Sequence, residues 1–225
     1  MKLAIFDLDG TLLPIDSGDN WPIYLAAAEP ELCGWGKERA ETFARNESLG
    51  NFDPLAFALF NFKLLSLLPI ERLLEIRRAY VEDFILPRVK SEAFELVNRA
   101  KAEGFYTLQI SGTIAFVSAE IGRYFGFDRA IAVDAVTDSR GNFLPRLASG
   151  LSFQSYKIRR LELFLHGLGV SSDSLEDLTF YTDSNYDMPL IEYVLRKGGR
   201  AYAVNPNAKL TQYAQRAGLP IIRFY

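Results

Sequence analysis

The sequence predicts an α/β fold whose parallel sheet core is interrupted, after its first strand, by a helical domain. Three observations carry this. Apolar strand-like runs alternate with helical patterns from residue 91 to the C-terminus, which implies βαβ units and a parallel sheet. The opening run, Ala4-Ile5-Phe6, delivers Asp7 and Asp9 to its own C-terminal end. Between that strand and the next, residues 16–86 have helical spacing and little strand character. A strand-to-helix connection is ordinarily a few residues, so this block reads as an inserted cap, with residues 1–15 and 87–225 forming the core. An ordinary helical subdomain without a lid role is the alternative.

The opening strand is apolar on both faces, as a buried parallel strand should be. Gly10 ends it with a tight turn. Asp7 and Asp9 lie two apart and point the same way from an extended chain. Ligands in open α/β sheets bind outside the carboxyl ends of the strands. Two acids there require a cation, a proton or hydrogen bonds, unless they serve only turn chemistry. Pro14 to Asn20 is a polar loop. Helices are predicted over Trp21–Glu29, Lys37–Glu47, Pro54–Leu68 and Ile70–Phe84, punctuated by prolines and glycines. Asp53 is a predicted N-cap, with Pro54 at the first helical position.

In the second part, a helix over Ser91–Glu103, capped by Ser91, leads into the strand Phe105–Ile110. Ser111-Gly112-Thr113 follows, then a helix over Ile114–Phe125 and a strand over Ala130–Ala135. Val136 to Phe153 reads as a hairpin-like excursion. A helix over Ser155–Gly167 carries Lys157 near its start and ends on His166 before a glycine cap. The strand Leu178–Tyr181 runs into Thr182-Asp183. A helix over Met188–Lys197, the strand Arg200–Val204, a helix over Lys209–Ala217 and a strand over Pro220–Phe224 complete the alternation.

Composition excludes several classes. With 225 residues, 49% of them apolar, the chain can bury a sizeable core. A net charge of −3 gives no basic footprint for nucleic acid. The single cysteine, Cys33, forbids an intramolecular disulfide and fits a reducing, cytoplasmic setting. One histidine and one cysteine cannot build a zinc site of those ligands. Acids so close to the N-terminus argue against a signal peptide. The apolar stretch Pro54–Ile70 is interrupted by Asn61, Lys63 and Ser66 and falls short of the ~20 residues a span needs, so no stable membrane insertion is expected. The overlapping aromatic-rich segment Phe52–Phe62 reads as cap core or as the lining of an apolar pocket or partner surface.

If the sheet is parallel, Ser111, Asp183 and Asp187 join Asp7 and Asp9 on one edge, with Lys157 beside them. Four carboxylates and a lysine ask for a hard divalent cation, and oxygen donors with a phosphate suit Mg²⁺. Ser111, the N–H groups of Gly112 and Thr113, the following helix N-terminus and Lys157 would hold phosphate oxygens. These are the parts of a phosphoryl-transfer site.

Asp7-Leu8-Asp9-Gly10-Thr11, Ser111, Lys157 and Asp183-Ser184-Asn185-Tyr186-Asp187 resemble, in order, the four motifs of the haloacid dehalogenase superfamily. The resemblance spans nearly the whole chain and places the insertion at the C1 cap position, and the stretch from Asp183 to Leu190 with the later Ala203-Val204-Asn205-Pro206 resembles the phosphoserine-phosphatase-like subfamily IB. It implies a Rossmann-like core and Mg²⁺-dependent hydrolysis of a small-molecule phosphomonoester. Asp7 would be the nucleophile and Asp9 the general acid and base. Asp7, the Asp9 main chain, Asp183 and Asp187 would hold the metal, Asp187 directly, through water or by way of Lys157. The same intermediate would serve a phosphotransferase or mutase; a non-catalytic phosphate binder is the remaining alternative. Three departures weaken a phosphoserine assignment: Tyr156 replaces the glycine before the lysine, Gly112-Thr113 replaces paired glycines, and Tyr186 replaces an asparagine. Arg159 and Arg160 rival Lys157 for its role. Asp16 matches the acid that recognises a substrate amine in phosphoserine-phosphatase relatives, favouring histidinol phosphate or another amino-alcohol phosphate, or else it caps the next helix. Arg45 is a candidate for a substrate carboxylate or phosphate, or else is solvated. The oligomeric state is not legible.

Overall fold

The computed structural model describes all 225 residues. Strand β1 (Lys2–Phe6) lies at the centre of a six-stranded parallel sheet of order β3-β2-β1-β6-β7-β8. Its neighbours are β2 (Phe105–Ile114) and β6 (Asp177–Thr182), which place Gln109 and Tyr181 on either side of Phe6. Beyond β2 lies β3 (Arg129–Val133); beyond β6 lie β7 (Arg200–Val204) and the short edge strand β8 (Ile221–Ile222). The chain builds the β3 side, then crosses β1 to build the β7 side. The switch point therefore falls at the carboxyl end of β1, where an open α/β sheet offers its crevice. This is the Rossmann-like α/β architecture.

Every β1 residue after Lys2 is buried, and the strand alternates between two cores. Leu3 and Ile5 face one cluster with helices α8 (Tyr156–Gly167), α9 (Met188–Arg196) and α10 (Ala208–Ala217). Ala4 and Phe6 face a larger cluster with α6 (Ser91–Ala102) and α7 (Ala115–Phe125). That second cluster continues without a break into the inserted helices, through Trp21, Phe62 and Tyr80.

The insertion is helical throughout: α1 (Ser17–Ala28), α2 (Pro30–Cys33), α3 (Trp35–Ser48), α4 (Pro54–Leu65) and α5 (Ile70–Ala79). Asp16 caps α1 by accepting from the Asp19 N–H at 2.7 Å. Asp53 caps α4, accepting from Leu55 and Ala56 at 3.0 Å, with Pro54 at its first position as expected. No single helix is long and apolar enough to cross a membrane. Arg77 ties the insertion to the core: its guanidinium lies 4.6 Å from the Phe116 ring centre and 3.2 Å from Glu120. The excursion after β3 is a hairpin of β4 (Ala135–Thr137) and β5 (Phe143–Leu147), with β5 packed on α4.

Several local expectations are corrected. The four-residue helix α2 had no periodic signal and carries the buried Cys33. The helix predicted through Phe84 stops at Ala79 and continues as one wide turn over Tyr80–Ile85 with i→i+5 bonding. Ser91 does not cap α6; its hydroxyl donates to Glu92, and Lys90 stands at the cap. Helix α8 runs through Gly167, and the left-handed glycine that closes it is Gly169, with φ +69°. Strand β2 runs four residues further than expected, through Thr113 to Ile114. Between Ile110 and Ile114 its pairing with β3 slips, which leaves Ser111-Gly112-Thr113 as a bulge at the sheet edge.

Candidate active site

Strands β1, β2 and β6 end on one side of the sheet, and the insertion covers that side. Between them is a cleft of about 280 Å³. Of the predicted residues, Asp7, Asp9, Asp16, Ser111, Gly112, Thr113, Lys157, Asp183 and Asp187 all line it. Arg45 does not. It lies exposed on α3, where it hydrogen-bonds Thr42 at 3.0 Å, and Glu47 from the same helix faces the cleft instead. The rivals of Lys157 are also outside: Arg160 bonds the Gly150 and Ala132 carbonyls, and Arg159 does not line the cleft.

Lys157 comes from the first turn of α8 and is 4% exposed. Its ammonium lies 2.7 Å from Asp7 Oδ1 and 2.8 Å from Asp187 Oδ2. Burial works against its charge, but the Asp187 and Asp7 carboxylates more than offset that and raise its proton affinity above that of an ordinary lysine. Two of its three hydrogens are thus committed. Thr182, the last residue of β6, also donates to Asp187, at 2.7 Å.

Thr11 joins the two motif-bearing strand ends. Its hydroxyl donates to Asp183 Oδ1 at 2.8 Å and accepts from the Asp183 N–H at 2.9 Å, and lies 3.4 Å from Asp7 Oδ2. Asp183 in turn sits against Gly10. A methyl group there would come within 2.4 Å of Asp183 Oδ2, and φ of +76° is a conformation that favours glycine. Asn205 Nδ2 holds the turn by donating to the Thr11 carbonyl at 3.0 Å.

Asp9 is held from two sides. The Ser17 N–H, at the start of α1, donates to Oδ1 at 2.7 Å, and the Thr113 hydroxyl donates to Oδ2 at 2.7 Å. Although Asp9 is partly accessible from the cleft, protein surrounds its carboxyl. Desolvation, aided by the Asp16 charge, pushes its pKa up to about 7 against those two hydrogen bonds. Desolvation also raises Asp7, despite Lys157, and raises Asp183 to about 8, with Asp7 adding like charge. One lysine does not balance this set. A hard divalent cation would, and carboxylate oxygens from Asp7 and Asp183 meeting on one hydroxyl are a fitting donor set for it.

Ser111 Oγ accepts from the Thr113 N–H at 3.0 Å, so its hydroxyl hydrogen is left to donate. Helix α7 starts at Ala115, just beyond the bulge, and turns its positive end toward the cleft.

The outer wall differs in character. Asp16, Asp19 and Glu47 line it together with Phe52, Phe57, Phe153 and Tyr186. Burial raises Asp19 to about 6, with Glu47 and Asp9 adding repulsion, and burial raises Glu47 as well. Phe52 packs against Phe153 across the cleft, at 5.6 Å between ring centres, and Phe153 against Tyr186 at 5.1 Å. Asp19 stands behind Asp16 at the cap entrance, as the sequence suggests; sequence reasoning missed Thr11 and Glu47 as site residues, and of these only Thr11 carried a signal, its place in the first motif. Asp16 is exposed at the mouth and serves as the α1 cap, so both readings of it are compatible with its position.

The family model for haloacid dehalogenase-like hydrolases matches residues 4–192. A histidinol-phosphatase of Neisseria meningitidis serogroup C (strain 8013) is 33% identical over 229 residues, covering 99% of both chains. A solved structure of a protein of unknown function from Bordetella pertussis Tohama I superposes with a TM-score of 0.90 at 29% identity, over 98% of this chain and 97% of that one. A substrate-bound phosphoserine phosphatase shares the fold, with a TM-score of 0.63 at 18% identity over 98% and 92% of the two chains. With the motif residues gathered at one sheet edge and the family model covering most of its length, the chain belongs to the haloacid dehalogenase-like hydrolases.

Proposed function

We propose that this protein is a Mg²⁺-dependent phosphatase acting on a small phosphomonoester whose alcohol part carries a positive charge. The observation that carries the reading is the pairing of Asp7 with Lys157 beside Asp9 and Asp183, at the switch point of the sheet. Residues 16–86 are the cap over a core of residues 1–15 and 87–225.

Asp7 and Asp183, with the Asp9 main chain, are the residues to hold Mg²⁺; Asp187 reaches the site through Lys157. When bound, the ion neutralises phosphate and carboxylate charge. The Asp7 carboxylate attacks phosphorus, the ester P–O bond breaks, and the leaving oxygen takes a proton from Asp9. Asp9, now a carboxylate, removes a proton from water as that water attacks the aspartyl-phosphate. Inorganic phosphate leaves and Asp7 is regenerated. Ser111, the Gly112 N–H and the third hydrogen of Lys157 hold the non-reacting oxygens.

For the substrate, Asp16, Asp19 and Glu47 face aromatic rings in the outer cleft. Lys157, the only basic residue lining it, is engaged by two carboxylates. A cationic group is attracted there and a carboxylate is not. An amino-alcohol phosphate such as histidinol phosphate satisfies this better than phosphoserine, and the relative from Neisseria is named for that activity. The lone buried cysteine fits a cytoplasmic setting.

The test is phosphate release from a panel of amino-alcohol, amino-acid and sugar phosphates, with and without Mg²⁺. Metal-dependent release, best with an amine-bearing ester, is expected. Release that is indifferent to the metal, or best with a carboxylate-bearing ester, overturns the reading.

A further inference from the structure

The hydroxyl of Thr113 stands in a place that phosphate binding alone does not explain. Its N–H is spent on Ser111 Oγ. Its hydroxyl turns away from that serine and donates to Asp9 Oδ2 at 2.7 Å, across 104 residues of chain. Thr113 is 6% exposed, so few other positions are open to that hydroxyl. The β2 bulge brings it there, and the first turn of α1 pins it: a methyl group at Gly18 would lie 2.8 Å from Thr113 Oγ1. Glycine at 18 lets α1 approach closely enough for its Ser17 N–H to reach the other oxygen of Asp9 at 2.7 Å. The Asp9 carboxyl is therefore fixed in rotation by two donors, one from the core and one from the insertion.

We propose that Thr113 is the positioning residue for Asp9, orienting it toward the leaving oxygen and stabilising the carboxylate that remains once its proton has gone. The inference rests on Asp9 being the proton donor. When the P–O bond breaks, the Asp9 proton moves to the departing alkoxide. The negative charge left on Asp9 is received by the Thr113 O–H and the Ser17 N–H, both already in place. Such preorganised donors act without reorganisation at the moment of transfer.

The consequence is a dependence on leaving group. An alkyl phosphate expels a strongly basic alkoxide and needs the proton. p-Nitrophenyl phosphate expels a weakly basic phenolate and needs it little. The quantity to read is kcat/KM, which reports steps up to the first irreversible one and so leaves out hydrolysis of the intermediate. Thr113→Val should lower kcat/KM for the best alkyl phosphate roughly 10- to 100-fold and that for p-nitrophenyl phosphate less than about 3-fold. Thr113→Ser, which keeps the hydroxyl, should restore the alkyl value to within about 3-fold of wild type. An equal loss on both esters would place Thr113 among the phosphate ligands or the structural residues and overturn the proposal, as would an undiminished alkyl rate. Asp9→Asn separates the two layers. If it also spares p-nitrophenyl phosphate selectively while Thr113→Val does not, only the positioning role fails. If Asp9→Asn affects both esters equally, the proton-donor reading of Asp9 fails first.

Discussion

Lys157 Nζ lies 2.7 Å from Asp7 Oδ1, although 150 residues separate the two in the chain. The contact joins the end of the central strand to the start of α8, and both partners are buried. A buried charge is tolerable only when paired, so this pair serves the fold and the nucleophile at once. Replacing Lys157 by Met should leave Asp7 and Asp187 facing each other unpaired. Phosphatase activity should fall at least 100-fold, and stability in denaturant should drop by roughly 3 kcal/mol at pH 7.5. Retained activity would show that the pair is only structural.

The clustered acids make a prediction about pH. Asp7, Asp9 and Asp183 are all raised above the ordinary carboxylate value, Asp9 to about 7 and Asp183 to about 8. Between about pH 4 and 8 the folded, metal-free protein therefore binds more protons than the unfolded chain. Stability must then fall as pH rises through that window and level off above it. Denaturation of the metal-free protein at pH 5.5 and 8 should show the decline, and millimolar Mg²⁺ should remove most of it by replacing protons as the compensating charge. Stability that climbs over the same interval would contradict this electrostatic account.

Glu47 is expected to select the substrate. Glu47→Gln removes one negative charge from the outer cleft wall without touching Asp7 or Asp9. KM for an amine-bearing ester should rise roughly tenfold with kcat nearly unchanged, as for the loss of one partly screened charge interaction. A neutral alcohol phosphate should show no such rise. The same comparison with Asp16→Asn tells whether the α1 cap takes part or only ends the helix. An unchanged KM in both variants would remove the acidic wall from substrate recognition.

Gly10 offers a purely structural test. Any side chain there must displace Asp183 and adopt a positive φ. Gly10→Ala should weaken the metal dependence of activity, shifting the Mg²⁺ concentration for half-maximal rate upward by roughly tenfold. Normal metal dependence would mean that Asp183 is free to move.

The inner half of the site was legible in the sequence because strand ends have a signature. An apolar run followed by acids and glycine fixes the position of Asp7 and Asp9, and alternation of strands and helices places Asp183 and Ser111 on the same edge. The outer half was not. Arg45 and Glu47 are two residues apart on α3, about 200° around the helix, so whichever one faces the cleft the other does not. That choice is made by the packing of α3 against α1, which the sequence of α3 alone does not express. The β2 bulge was hidden for a related reason: a slip in pairing between β2 and β3 is a property of two strands, and Ser111-Gly112-Thr113 read alone is a loop. Thr113 consequently looked like a phosphate ligand, and its bond to Asp9 appeared only with the fold.

The central claim is that Asp7 carries the phosphoryl group. Asp9→Asn keeps Asp7 but removes the base needed to hydrolyse the intermediate. Mixed rapidly with p-nitrophenyl phosphate and Mg²⁺, that variant should release a burst of about one p-nitrophenolate per chain. Peptide mass spectrometry after acid quench should then find one phosphoryl group on Asp7. No burst, or a phosphoryl group on any other residue, would contradict the mechanism.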